Sequence, residues 1–350
     1  MTITIRDIAR KLNLSIAAVS RALNGYPDIS PETRRRVELA AQEMGYVPNR
    51  AARQLRSKHS DTLGFILPVA GPRFADPFYS EFIEGLSDET AAQSFDLLIT
   101  TAAPGTDAEQ AAYRSWVLGN KVDGMVINRV RRMDWRVQFL AQNQFPFSGL
   151  ELSQDGLSYP HVTTTSRQAF HGLVQHLAQA GFTRQAFIGG PPDSIIQHER
   201  QSGFVSGVAQ AGLDLRPEWL TAADFTSEGG YRAALGLLDL PQAPDALVCI
   251  TDETAFGALR AAQERQRVIG RQVAVTGFDG VHEARYTNPP LTTLDVPVYE
   301  MARTLVRLLC GRVRNKALIL ERIIFTPRLL ARTSSLGRMV NLPKDEEEVV

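Results

Sequence analysis

Two cysteines in 350 residues leave too little for a disulfide framework. Cys249 and Cys310 both sit in apolar surroundings, LVCI and LLCG, and read as buried packing residues of a cytoplasmic chain. Long apolar runs are missing as well. None reaches the roughly 18–20 residues that a membrane-spanning helix needs, so no membrane partner is expected. The opening residues, MTITIRDIARK, lack the apolar stretch and small-residue cleavage site of an export signal, and secretion is not expected. No GxxxxGK(S/T), GxGxxG or GxSxG string occurs, which removes support for nucleotide-binding loops and a hydrolase nucleophile. His59, His161, His171, His176, His198 and His282 show neither HExxH nor Cys/His zinc spacing. No metal, no cofactor and no enzymatic activity are therefore expected. His171 and His176 lie five apart on a predicted helix, on different faces, and are expected to be solvated.

What remains is a soluble composition, 44% hydrophobic and 22% charged, in a chain long enough for two or three domains. Its net charge of zero hides an asymmetry. Residues 1–60 hold 11 basic and 5 acidic side chains, which leaves 27 basic and 33 acidic for the other 290. A basic arm on an acidic body suits local binding to a polyanion.

The basic arm has its own helical grammar. Thr4 can cap a first helix, with Asp7 as the acidic half of a capping box. Ile5, Ile8, Ala9 and Leu12 repeat at helical spacing. Asn13 falls where the chain must reverse, and Asn tolerates a left-handed backbone. Ser15 is placed to cap a second helix from Ile16 to about Leu23, buried through Val19, Ala22 and Leu23. Ser30, Pro31 and Glu32 open a third, ending at Gly45, with apolar contacts from Val37, Leu39, Ala40 and Met44. Two helices around so short a turn form a DNA-binding helix-turn-helix or, on a plainer reading, part of a three-helix bundle with another task.

The residues decide between these by resemblance. TIRDIARKLNLSIAAVSRALN over 4–24, followed by SPETRRRVELAAQEMGYVPNRAARQLRS over 30–57, closely resembles the head of the LacI/GalR repressor family. The resemblance implies that Ile16 and Ala17 open the sequence-reading helix and that Arg21 lies one turn later on the same face. Arg21 could donate two hydrogen bonds to a guanine edge, whereas Ile16 and Ala17 offer only apolar contact. Ser15, Ser20, Asn24, Ser30 and Thr33 are candidate phosphate contacts, with ordinary capping or solvation as the alternative for each. Thr4 and Tyr46, in the same matched head, are further candidate DNA contacts. YVPN leads into an implied hinge helix that lies in the minor groove. Asn49 would start it, Ala51 and Ala52 would permit close approach, and Leu55 would wedge between base pairs. The plainer reading has Leu55 packing on a dimer partner or on the head. Two hinges side by side imply a homodimer on a pseudo-palindromic operator in double-stranded DNA.

From Asp61 onward, short β-rich runs alternate with helical periods. Candidate strands cover 63–69, 95–100, 122–128, 145–150, 185–190, 246–251 and 273–279; helices cover 79–93, 166–180 and 198–211. Such alternation predicts an α/β fold of parallel sheets, with ligands at the carboxyl ends of strands. The resemblance extends here to a two-lobed, periplasmic-binding-protein-like sensor. The expected division is a head over 1–47, a hinge and linker over 48–60, one lobe over 61–161 with 292–322, the other over 162–291 with 323–336 and a single last strand near 323–330, and an acidic tail over 337–350.

Effector-site residues follow from matched motifs. DPFYSEFIEG resembles the family's NPFF helix start and makes Phe78 a candidate, with Asp76 departing from the common Asn. RQSGF matches RxxGF and points to Arg200; TGFDG points to Asp279. TDETAFGALRA matches the ND/TD strand end, with Thr251 facing the ligand and Asp252 capping the next helix. Phe225 falls where an aromatic often stacks on a sugar, and Thr164 and Glu151 match by position. Thr165-Ser166 and Val296 depart from polar residues frequent in the family. For each cleft residue the alternative is a helix cap or a buried hydrogen bond. The expected function is a DNA-binding repressor of a carbohydrate-utilisation operon, released by a sugar through allosteric linkage. The alternatives are corepression by a purine or nucleoside and, from another class, a sugar-binding transport component.

Overall fold

A computed structural model describes residues 3–23, 25–46, 59–69, 76–315 and 321–336. The chain divides into two compact units, residues 1–60 and 61–350. In the first, α1 (Ile5–Leu12), α2 (Ile16–Leu23) and α3 (Pro31–Glu43) pack around Ile8, Ala9, Val19, Ala22, Val37 and Ala40. Asn13 closes α1 with φ 54° and reverses the chain. Ser15 Oγ accepts from Ala18 N–H at 3.0 Å, and Ser30 Oγ accepts from Thr33 N–H at 3.2 Å, so local polar groups set both helix starts. Leu39, expected inside, is 50% exposed; the inner face of α3 is filled by Ala40 and Ala41 instead.

In the second unit, most strands are followed by an α-helix. Its elements begin with β1 (Thr62–Pro68), α4 (Pro77–Ala92), β2 (Asp96–Ala102), α5 (Asp107–Leu118), β3 (Gly124–Ile127), α6 (Trp135–Gln142), β4 (Phe147–Leu150) and β5 (His161–Thr164). Then come α7 (Ser166–Gln179), β6 (Gln185–Gly189), α8 (Ile195–Gln210), β7 (Leu220–Ala222), α9 (Ser227–Leu238), β8 (Ala246–Cys249), α10 (Asp252–Glu264) and β9 (Ala274–Asp279). The chain finishes with β10 (Thr292–Asp295), α11 (Val298–Arg314), β11 (Arg322–Phe325), β12 (Arg328–Leu330) and α12 (Thr333–Leu336). One sheet has the order β11-β5-β4-β3-β1-β2, all parallel. The other runs β12-β10-β9-β8-β6-β7 and is parallel except for β12. Buried Leu, Ile, Val and Phe on the central strands match the near-continuous apolar runs of sheets covered on both faces.

The chain passes between the sheets three times, after Thr164, after Asp295 and after Phe325. Strand pairing sets these passages a few residues later than the boundaries expected at 161, 291 and 322, because β5 and β11 pair within the first sheet and β10 within the second. The single last strand expected near 323–330 is two strands, in different sheets, separated by Thr326 and Pro327. Proline there removes a ladder donor and ends β11. Returning to the first lobe, α11 lies against α4 so closely that a Cβ on Gly85 would meet Tyr299 O at 2.3 Å. His176, expected to be solvated, is half-buried, and its Nε2 lies 3.0 Å from Ser335 Oγ because α12 folds back over the second sheet.

A buried ion cluster fixes the loop after β3. Arg136 Nη2 meets Asp134 Oδ2 at 2.6 Å and donates to Arg129 O at 3.0 Å, while Glu109 takes Arg131 Nη2 at 3.0 Å. Arg136, Asp134 and Glu109 are each at most 3% exposed. Such charges are tolerable only as a set, since removing one leaves another uncompensated. Arg136→Met should destabilise the protein by about 3–5 kcal/mol. Urea titration followed by circular dichroism checks this, and a loss below about 1 kcal/mol would mean that the cluster does not carry the loop.

Candidate functional site

The two regions singled out from sequence are best taken separately. On the helical head, Ile16 is 47% exposed, Ala17 is exposed and Arg21 is exposed on the same helix. Arg21 Nη1 pairs with Asp28 Oδ2 at 2.8 Å, a surface ion pair of little intrinsic strength that another anion can replace. Ser15 is exposed and Thr33 is half-buried, each part of a helix start. Thr4 N–H donates to Asp7 Oδ2 at 2.9 Å, and Tyr46 packs against the head's core. Ser20 differs from the phosphate-contact expectation. It is 8% exposed, beside Val19, and is not on the exposed face with Ile16 and Arg21. Asn24, Asn49, Ala52 and Leu55 lie outside the described residues.

The α/β unit brings all seven effector candidates to one cavity. Phe78, Glu151, Thr164, Arg200, Phe225, Thr251 and Asp279 line it, from both sheets. This follows from strand direction. Glu151 and Thr164 stand at the carboxyl ends of β4 and β5, Thr251 and Asp279 at those of β8 and β9, and the three passages between sheets turn these ends towards one another. Arg200, 5% exposed, projects from α8; its Nη1 donates to Ile250 O and its guanidinium carbon lies 3.6 Å from the Phe278 ring centroid. Its Nε has no hydrogen-bond partner. The Asn128 amide nitrogen, also on the cavity wall, has none either. Thr251 caps α10 by accepting from Thr254 N–H at 3.2 Å. The cap expected at Asp252 is therefore one residue earlier. Asp252 instead accepts from Gly280 N–H at 2.9 Å, Val281 N–H at 3.0 Å and Thr293 Oγ1 at 2.6 Å, tying α10 to β9 and β10.

Sequence reasoning missed Arg129. It follows the carboxyl end of β3, the placement rule that could have found it, but the surrounding NRVRR reads as an ordinary solvated charge run. Its Nη2 lies 3.2 Å from Asp76 Oδ2, and its guanidinium carbon is 4.6 Å from the Phe225 ring centroid and 5.4 Å from that of Tyr79. Phe225 comes from the other lobe, so this cation–π contact bridges the cleft. The Phe225 ring also presses on Gly190, where an added Cβ would meet it at 2.6 Å.

Backbone strain gathers here as well. Arg129 (φ 48°), Glu151 (78°), Phe225 (65°) and Asp279 (122°) all hold positive φ without being glycine. Each such residue costs on the order of 1–3 kcal/mol and persists only where its surroundings impose it.

Three carboxyls share the cavity. Burial pushes Glu151 up to about 6, against a donated bond from Thr163 and the attraction of Arg200. Asp76 is likewise raised to about 6 by burial, opposed by Arg129. Burial holds Asp279 well above the usual carboxylate range despite Arg200. An acid whose folded value is raised stabilises the fold while protonated and loses that contribution as pH rises from about 4 to about 6. Glu151→Gln, which keeps the shape without the charge, should therefore raise Tm more at pH 7.5 than at pH 5. Differential scanning fluorimetry at both pH values checks it; equal shifts would show that Glu151 is not taking on charge at a cost in the folded protein.

The comparisons agree with the geometry. Residues 4–49 match the lacI family of bacterial regulatory proteins, and residues 174–335 match the periplasmic binding protein-like domain. The HTH-type transcriptional regulator AglR of Rhizobium meliloti is 31% identical over 339 residues, covering 96% of this chain and 95% of that protein. A solved CelR transcriptional regulator–cellobiose complex is 27% identical with a TM-score of 0.74, covering 95% of this chain and 99% of that one. The lac repressor dimer bound to operator and an anti-inducer, 22% identical over 96% of this chain and 100% of that one with a TM-score of 0.82, shares the fold. A helix-turn-helix head and a two-lobed α/β domain with a polar, strained cleft thus occur together in one chain, and the protein belongs to the LacI family of DNA-binding transcription regulators.

Proposed function

We propose that this regulator represses a carbohydrate-utilisation operon, binds a pseudo-palindromic operator as a homodimer and is released when a sugar enters the interlobe cleft. The observation that carries the reading is the convergence of both sheets on one cavity. It offers an aromatic face, two arginines, buried carboxyls and threonine hydroxyls, and it holds four strained residues. Sugars need this mixture, ring faces for their C–H surfaces and paired donors and acceptors for their hydroxyls. Arg200 and Asp279 are the proposed hydroxyl-binding pair, with Phe78, Glu151, Thr164, Phe225 and Thr251 around them. The CelR relative solved with cellobiose supports a sugar as the ligand class. Among the described residues no helix is long and apolar enough to cross a membrane, and the relatives are transcription regulators; a cytoplasmic, non-enzymatic protein is in keeping with both.

On the DNA side, Arg21 is proposed to exchange Asp28 for a guanine edge, with Ile16 and Ala17 in apolar contact beside it. Ser15, Ser30 and Thr33 would meet phosphates. The sequence assigns the minor-groove wedge to Leu55. Linkage then requires that sugar and operator favour different arrangements of the same dimer, each lowering the other's affinity by one common factor.

Electrophoretic mobility shift on the DNA upstream of the gene, repeated with a panel of sugars and nucleosides, tests the whole reading. A sugar should release the complex; release or strengthening by nucleosides alone would replace the sugar reading with a nucleoside one. Arg21→Ala should cost about 1–3 kcal/mol of operator binding and relax preference at one base pair per half-site. Leu55→Ala should weaken operator binding while leaving sugar affinity unchanged, as read by calorimetry. An effect on sugar affinity alone would remove Leu55 from the DNA contact.

A further inference from the structure

The interlobe space has two compartments. The inner one, walled by Phe78, Arg200, Asp279 and their neighbours, measures only about 50 Å³. That is room for a few waters, against the roughly 300–1,000 Å³ of pockets that hold small molecules. Beyond it lies an outer compartment of about 290 Å³ between the last residue of β1 and the loops after β2 and β3 on one side and the loops after β6 and β7 on the other. Arg129 and Phe225 line both and form the partition. The guanidinium carbon lies over the ring, 4.6 Å from its centroid, and occupies a face on which a sugar would stack.

The outer compartment carries its own polar equipment. Ser194 opens α8 but makes no capping bond, and its hydroxyl, on a residue 4% exposed, has no hydrogen-bond partner. A serine at a helix start ordinarily gives that oxygen to the backbone, so this one is unspent. Beside it stand Arg131 and Asp193, 3.7 Å apart, and the exposed Asp224. The rim thus pairs a planar donor with carboxylate acceptors, the arrangement that vicinal hydroxyls engage.

The geometry points to a two-ring effector, a disaccharide or glycoside, that displaces Arg129 from Phe225 and places one ring in each compartment. It rests on the reading of the cleft as a sugar site and deepens it by naming ligand size and the residue that gates it. Once Arg129 swings off the ring the partition is gone, the two compartments become one, and the Phe225 face that Arg129 covered is open to one of the rings. Arg129 is freed to stay with Asp76, 3.2 Å away, so no charge is stranded by the move. Ser194 then has a hydroxyl to bond, and Arg131 and Asp193 hold the outer ring.

Isothermal titration calorimetry of the full chain with cellobiose, maltose, lactose, sucrose and trehalose, each beside its component monosaccharides, decides the matter. One disaccharide should bind at least about tenfold more tightly than either component, since the second ring adds contacts that the first cannot make. Ser194→Ala should weaken that disaccharide about fivefold, the loss of one hydrogen bond, with Tm and operator affinity unchanged. Arg129→Ala should tighten it, because the competing guanidinium is gone. A monosaccharide that binds as tightly as the disaccharide containing it overturns the two-ring assignment and leaves the sugar reading standing. Weaker disaccharide binding by Arg129→Ala overturns the displacement. Failure of every sugar to bind, with operator binding retained, overturns the sugar reading and this inference together.

Discussion

Parallel strands all finish at the same edge of their sheet, and here two such edges are made to face each other because the chain is passed between the sheets three times. Every feature of the cleft depends on that constraint. Residues as far apart as Asp76 and Asp279 become neighbours only because strand ends and helix starts collect at one place. The sheets themselves are held apart from function by their composition, with central strands buried on both faces and carrying mostly apolar side chains. Chemistry is left to the first residue or two beyond each strand, where the backbone leaves the ladder and a side chain can turn into the gap.

The gap is costly to maintain. Three carboxyls lie in surroundings that disfavour their charge, and four residues hold backbone angles that only glycine adopts freely. The ion cluster of Glu109, Asp134 and Arg136 offsets this by pinning the loop that carries Arg129, and main-chain bonds continue the brace into the other lobe. Arg132 N–H donates to Asp193 O at 2.7 Å and Ile195 N–H to Val130 O at 3.1 Å. The lobes are thus joined by these main-chain bonds and by one continuous buried apolar cluster that holds Phe65 and Phe82 of one lobe and Phe170 and Phe278 of the other.

Much of this was open to reading before any coordinates. The head's helices were legible to the residue for α2, because their limits are set by Ser15, Asn13 and Ser30 acting on their immediate neighbours. The central strands were legible from their apolar runs, and the seven cavity-lining positions from the family resemblance: Phe78 and Arg200 from helix motifs, Thr251 and Asp279 from strand-end motifs, Phe225, Glu151 and Thr164 by position. What stayed hidden depends on distant partners. Arg129 belongs to a run of arginines that looks solvated until Phe225, nearly a hundred residues later, is brought over it. His176 looked exposed until α12 arrived against it, and Leu39 looked buried from its apolar character alone, although it lies two residues from Val37 and off the face that Val37, Ala40, Ala41 and Met44 share. The split of the final strand was missed for a related reason: its two halves are equally β-prone, and only the sheets they join tell them apart.

Two of the three passages between lobes run through proline, Val296-Pro297 and Thr326-Pro327. A ring-locked φ removes one of the soft torsions from each short connection, so these passages act less like slack strings than like stiff leaf springs clamped side by side. Stiffness at two of the three straps leaves the lobes less slack between them than three chains of ordinary residues would give.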